Sequence, residues 1–318
     1  KLQYALTHTP TLVTALERYF GIAYPFDKLD LLAAPDFAAG AMENAGLVTF
    51  ADTLIVLDEK SSLSAIKSYT SVTAHELAHQ WFGDLVTPRW WDDIWLNEAF
   101  ATWMAAKIVG EVAPEQRPEL DQLRASQAAM TDDSLVSARR IREPIRVLGD
   151  IDAAFDGITY QKGAAVLSTF ENWIGAENFR RGVHAHMVRH ARGVATADDL
   201  IAALAEASGK GAAFAPAMKS FLDQPGLPQV AVTPQCAAGK ASLALTQQRY
   251  LPLGSSGKAT GQRWQIPVCM RLGAADGSSG TQCTLLDGPR QSVALAQCPA
   301  WVLPNADAGG YYRFTLPP

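Results

Sequence analysis

The chain has 318 residues, 48% of them hydrophobic and 19% charged, with a formal net charge of -5. That length allows two ordinary domains with a substantial core, and the balance excludes a disordered chain. No apolar run of about eighteen residues occurs, so no membrane span is expected, and the acidic balance argues against a nucleic-acid partner.

Residues 11–20, TLVTALERYF, carry helical apolar spacing, and DKLDLLAAPDF (27–37) reads as a strand entering a loop. GLVTFADTLIVL (46–57) is rich in β-branched and apolar residues and predicts one or two strands. From Ser64 the pattern turns helical through SAIKSYTSVTAHELAHQWF (64–82), with serine available as an N-cap. Pro88 interrupts it. A second helix is expected from Asp93 through Val109, stopped by Gly110.

Between residues 160 and 222 several helices are expected. TADDLIAALAEASG has both ends marked: Thr196 as N-cap, acids in the first turn and Gly209 at the exit. Beyond DQPGLPQV come VAVTP, ASLALTQQRY, RWQIPVCMRL and YYRFTLPP, short alternating runs divided by Gly, Ser and Pro. They predict an all-β domain, a sandwich by preference. The expected fold class is therefore α+β, with a mixed domain over 1–225 and a β-sandwich over 226–318.

All four cysteines, Cys236, Cys269, Cys283 and Cys298, lie in the last third. Their confinement to a loop-rich segment favours two disulfides over four reduced thiols, with three pairings open. A periplasmic or secreted location is the expectation that follows, with a cytoplasmic one as the alternative. The N-terminus has neither a starting methionine nor an apolar leader, so the chain is expected to be the central portion of a longer one.

TAHELAHQWFGDLVTPRWWDDIWLNEAF (73–100) carries the chemistry. On a helix, residues four apart share a face, so His75 and His79 can aim two imidazoles at one point. A zinc ion about 2.0–2.1 Å from each nitrogen fits between them, and Glu76 can reach a water there without binding the metal. Glu98, on the second expected helix, is the candidate third ligand. Two neutral imidazoles and one carboxylate leave the site a net positive charge, which acidifies bound water and polarises a carbonyl.

Other aromatic and histidine clusters have plainer readings. His186 and His190 are also four apart, but no carboxylate is in register and Arg189 and Arg192 repel a dication, so a solvated basic face is expected. The tryptophans at 81, 90, 91, 95 and 103 are expected to pack in the core around the two helices. Asn97 precedes a candidate ligand and is a candidate for orienting one, with surface or capping use as the alternative.

GAMENAG (40–46), followed by HELAHQWFGDLVTPRWWDDIWLNEAF, resembles the M1 family of zinc aminopeptidases, the gluzincin group. FDGITYQKGAAVL (155–167) is similar to that family's tyrosine-bearing region, and YYRFTL (311–316) to the close of its β-sandwich. The resemblance implies a thermolysin-like catalytic domain binding one zinc ion through His75, His79 and Glu98. It implies Glu76 as general base and Tyr160 as donor to the tetrahedral oxyanion. Glu43 would hold the substrate's α-ammonium, with Gly40, Ala41, Met42, Glu43 and Asn44 lying along the peptide like an added strand. The implied substrates are peptides with a free N-terminus. An endopeptidase on the same scaffold, and a non-catalytic peptide-binding fragment, are the alternatives. Ala45 replaces the tryptophan or proline often found in the first motif, and Ala99 stands where glycine is usual.

Overall fold

The computed structural model describes residues 2–58, 60–237, 240–257 and 261–317. Helices and strands are mixed, an α+β chain. It forms two compact units, Lys1–Arg124 with Arg180–Leu204, and Ala125–Phe179 with Ala205–Pro318. Among the described residues no helix is long and apolar enough to cross a membrane.

The first unit opens with a helix over Gln3–Phe20 that buries Ala5, Leu12, Ala15, Leu16 and Phe20 on one side. Pro10 lies inside this helix. A three-stranded sheet follows, in the spatial order Asp30–Ala34, Leu47–Ala51, Ala41–Met42. The first pair is parallel and the second antiparallel, with Ala41 opposite Phe50 and Met42 opposite Thr49. The GAMENAG motif therefore runs through an edge strand. Of the one or two strands expected over 46–57, one forms, Leu47–Ala51, and the next residues, Asp52–Ile55, are a short helix.

The histidine helix runs over Leu63–His79, with Ser62 Oγ accepting from the Ala65 N–H at 3.2 Å. It packs against a second helix, Ile94–Val112. That helix continues through Gly110 because its neighbours Ile108 and Val109 are buried, and packing outweighs the roughly 1 kcal/mol cost of an interior glycine. Around the pair the Phe20 ring stacks on Trp81 at 5.0 Å and Phe82 on Phe100 at 3.5 Å. Trp81, Trp95 and Trp103 are core residues as expected, whereas Trp90 and Trp91 are 58% and 39% exposed. Those two sit in the turn between the helices, outside the periodic stripe. His186 corrects the basic-face expectation: it is 1% exposed, its ring 5.6 Å from Phe82, while Arg189 and Arg192 stay outside.

In the second unit the rings of Phe170, Trp173, Phe214 and Phe221 pack between the helices Gly163–Ile174 and Phe214–Leu222. From Pro228 on, the described residues form two sheets, one of four strands and one of three. Val230, Val232, Leu243 and Leu245 are buried on the first, Ile266, Val268, Met270 and Leu286 on the second. The cysteines form two disulfides, Cys236–Cys298 and Cys269–Cys283, the latter between directly opposed antiparallel partners. The expected caps at Thr196 and Gly209 are present. The Asp199 N–H donates to Thr196 Oγ1 at 3.3 Å while the Thr196 N–H donates to Asp199 Oδ2 at 2.8 Å, and Gly209 takes φ +67°. A polar helix over Pro118–Asp133 has too little apolar periodicity to be read from the sequence.

Candidate metal centre

The last turn of the histidine helix places His75 and His79 on one face, their Nε2 atoms 3.0 Å apart. Glu98 Oε2, from the second helix, lies 3.4 Å from His75 Nε2 and 3.6 Å from His79 Nε2. A tetrahedral ion with bonds of about 2.0–2.1 Å separates its ligands by roughly 3.3–3.4 Å. The three donors span that triangle, so they fit one ion.

The tautomer of His79 agrees with this. Its Nδ1 faces two acceptors, Asn97 Oδ1 at 2.7 Å and the Phe82 carbonyl at 3.2 Å, so Nδ1 carries the proton. When the ring is neutral, Nε2 keeps its lone pair on the side that a metal ion would share with His75 and Glu98; when the ring is protonated, the same Nε2–H donates to Glu98. A second group of possible ligands, Glu43, Glu76 and His79, also lies within reach of one point. It fits less well, because the Nδ1 that faces Glu43, at 3.9 Å, is already a donor to Asn97.

Charge in the site points the same way. Burial works to raise the Glu98 carboxyl, but hydrogen bonds from both imidazoles outweigh it and hold the group well below its ordinary range. Burial opposes protonation of His79, yet Glu98, Glu43 and Glu76 together push its pKa up to about 10. Burial lowers His75 and raises Glu76 to about 8. Three carboxyl groups around two imidazoles favour added positive charge, and a metal ion would compete with protons for that place.

Sequence reasoning found Glu43 and left Asn97 open; the structure joins them. The Asn97 amide donates to Glu43 Oε1 at 2.9 Å while its carbonyl oxygen accepts from His79. Gly83, at φ +133°, makes room for it, since a Cβ there would collide with Asn97 Oδ1. Gln80 was missed. Fully buried, it accepts from the Gly46 N–H and the Tyr24 hydroxyl, each at 3.0 Å, and donates to the Glu43 carbonyl at 3.0 Å. It clamps the GAMENAG loop onto the helix end. Its only sequence signal is its place directly after the second histidine.

Gly40 to Asn44 line the edge strand and its exit. The Gly40 carbonyl accepts from the Ala51 N–H at 2.6 Å, and Asn44 Nδ2 donates to Thr49 Oγ1 at 3.3 Å. Ala41 is half-buried and Met42 exposed, and their outer edge has no strand partner among the described residues. Of the motif departures, Ala45 is exposed and Ala99 fully buried. Tyr160 belongs to the second unit, half-buried on a single π-helical turn over Ile158–Lys162, with the Phe155 ring 6.4 Å away.

Two imidazoles four residues apart and a carboxylate from the next helix form a group that could hold a metal ion, with Glu76 beside the first histidine. Residues 4–224 match the model of the Peptidase family M1 domain, and the chain belongs to that family. It is 36% identical to Aminopeptidase M1 of Arabidopsis thaliana over 93% of this chain and 34% of that protein. It is likewise 36% identical to Aminopeptidase M1-A of Oryza sativa subsp. japonica, over 98% of the chain and 35% of the relative. Leucyl aminopeptidase of Saccharolobus solfataricus is 35% identical over 93% of the chain and 36% of the relative. The chain thus spans about a third of the length of these relatives.

Proposed function

We propose that this chain carries the active site of a zinc-dependent aminopeptidase, which removes one N-terminal residue by direct attack of water. His75, His79 and Glu98 would hold one zinc ion. When bound, zinc supplies a Lewis acid that polarises the scissile carbonyl and acidifies water. The Glu76 carboxylate accepts a proton from the attacking water and returns it to the leaving nitrogen. The same group must act first as a base and then as an acid. The Tyr160 hydroxyl donates to the oxygen that gains charge. Glu43 binds the substrate's α-ammonium, and Gly40 to Asn44 pair with its main chain.

The observation that carries the reading is the hydrogen-bonded series His79–Asn97–Glu43, which fixes an acid beside the metal donors. An endopeptidase has no use for an ammonium-binding carboxylate there. At 4 Å and an effective dielectric near 20, the ammonium–carboxylate pair contributes about 4 kcal/mol, which a blocked N-terminus forfeits. The test is zinc content measured together with turnover of an aminoacyl chromogenic substrate and of its N-acetyl analogue. Expected are one zinc per chain and a rate for the acetylated compound lower by roughly three orders of magnitude. Equal rates would favour the endopeptidase, and zinc without turnover a peptide-binding fragment.

We also assign residues 1–225 to a thermolysin-like domain and 226–318 to a β-sandwich. The family match ending at 224 and the first long strand starting at Pro228 support this boundary. The two disulfides favour an oxidising compartment, the periplasm or the cell exterior.

A further inference from the structure

Lys162 lies two residues beyond Tyr160, and its side chain is fully buried. Its Nζ donates to Asp133 Oδ1 at 2.9 Å and reaches the Gly226 carbonyl at 3.5 Å. Asp133, the last residue of the Pro118–Asp133 helix, is equally buried. It also accepts from the Gly226 N–H at 2.9 Å and from the Tyr311 hydroxyl at 3.2 Å. Tyr311 belongs to YYRFTL, and its N–H donates to Thr169 Oγ1 at 2.9 Å, on the helix that continues from the tyrosine turn.

The start of the turn is held as firmly. Arg139 pairs with Asp156 and donates to the Ala154 carbonyl at 3.1 Å and the Thr159 hydroxyl at 2.7 Å. Asp156 Oδ1 accepts from the N–H groups of Ile158 and Thr159 at 2.8 and 3.2 Å. Tyr160 stands between these two anchors.

A buried ion pair is poorly explained by stability alone, since apolar side chains of the same volume usually serve as well. Burial also lowers the proton affinity of Lys162. What the pair supplies is direction. The Lys162 N–H donates five residues back, to the Gly157 carbonyl at 3.0 Å, the wide spacing of a π turn. Such a turn has poorer internal bonding than an α-helix and takes its shape from what grips it. Residues two apart in a helix face different ways, so Lys162 points inward while Tyr160 stays half-exposed.

We propose that the Lys162–Asp133–Tyr311 cluster is a positioning device for the Tyr160 hydroxyl, and that Tyr311 and Gly226 make the strand-rich end of the chain part of that device. The proposal rests on the assignment of Tyr160 as oxyanion donor. None of the three residues touches substrate in it; they act through Tyr160.

The experiment is a double-mutant cycle in the intact enzyme, reading kcat and KM separately on an aminoacyl chromogenic substrate. Tyr160→Phe is expected to lower kcat by about 10²–10³-fold. Lys162→Met should lower kcat by about 10²-fold with KM nearly constant. Added to Tyr160→Phe, it should cost no more than about twofold further. An equal loss in both backgrounds overturns the positioning role while leaving Tyr160's assignment standing. An unchanged kcat for Tyr160→Phe overturns the assignment and the inference with it. Should Lys162→Met fail to fold, Tyr311→Phe replaces it in the cycle, since it removes one hydroxyl and keeps the ion pair. A loss of about tenfold that vanishes on Tyr160→Phe supports the proposal, and one that persists there refutes it.

Discussion

The donor cluster at His75, His79 and Glu98 and the closed cluster at Lys162, Asp133 and Tyr311 are both buried and polar, yet they balance charge differently. In the second, one ammonium meets one carboxylate, and the remaining carboxylate lone pairs take a backbone N–H and a phenol. Nothing further is needed to satisfy it. In the first, Glu43, Glu76 and Glu98 surround two imidazoles whose nitrogens face each other at 3.0 Å. Such a site is satisfied by an added cation. Closed polar clusters hold shape, and charge-deficient ones bind.

The comparison can be broken most sharply at Glu76. Glu76→Gln keeps every proposed metal donor, so zinc content should stay at the wild-type level while kcat falls by up to about 10⁴-fold. Metal analysis and steady-state kinetics on one preparation check both halves, and full activity would refute the mechanism.

In the closed cluster the expected effect is on stability. Lys162→Met leaves Asp133 buried without its cation and should cost about 3–5 kcal/mol in urea unfolding. The pair Lys162→Met with Asp133→Asn should recover most of that loss, because the amide removes the buried charge while keeping an acceptor for the Gly226 N–H. A double variant as unstable as the single would mean the cluster is not self-contained.

A third test uses a group outside both clusters. Burial, assisted by His190 and Arg189 against the pull of Asp199, lowers the pKa of His186 to about 4. The unfolded chain, with an ordinary pKa near 6.5, binds the proton more readily between those values. Stability from this group is therefore complete above pH 6.5 and lost as pH falls toward 4, about 3 kcal/mol in all. His186→Phe should flatten the unfolding free energy across that window, measured by denaturant titration at several pH values. An unchanged slope would place the acid sensitivity elsewhere.

The smallest expected effect is at Asn97. Asn97→Ala removes the shorter of the two bonds that orient the His79 ring and should weaken zinc binding by about 10–100-fold, read by competition with a chelator. The same change frees Glu43, so KM for free-amine peptides should rise as well. A change in neither quantity would remove Asn97 from the site.

What the sequence made legible was local. His75, Glu76 and His79 share one helix, and four-residue spacing alone sets their common face. Glu98 was named from its place on the second expected helix and Glu43 from the family motif, neither through any derivable distance. The roles of Gln80 and Asn97 depend on how the chain turns back at Gly83, which no periodicity encodes. Lys162 was overlooked because an isolated lysine reads as solvated, and only Asp133, from a helix with weak apolar periodicity, makes its burial tolerable. The depth of His186 was hidden by Arg189 and Arg192, which share its neighbourhood in sequence but face solvent. Trp90 and Trp91 carry the opposite lesson: an apolar residue outside the stripe is free to stay at the surface.

The two-residue strand Ala41–Met42 offers its outer margin to whatever lies alongside, and main-chain amides and carbonyls are the same in every polypeptide. A guest lined up there is gripped by features that carry no sequence information. Under the proposed function, a peptide paired there would be held without regard to its side chains, and discrimination would fall to the surfaces that meet them.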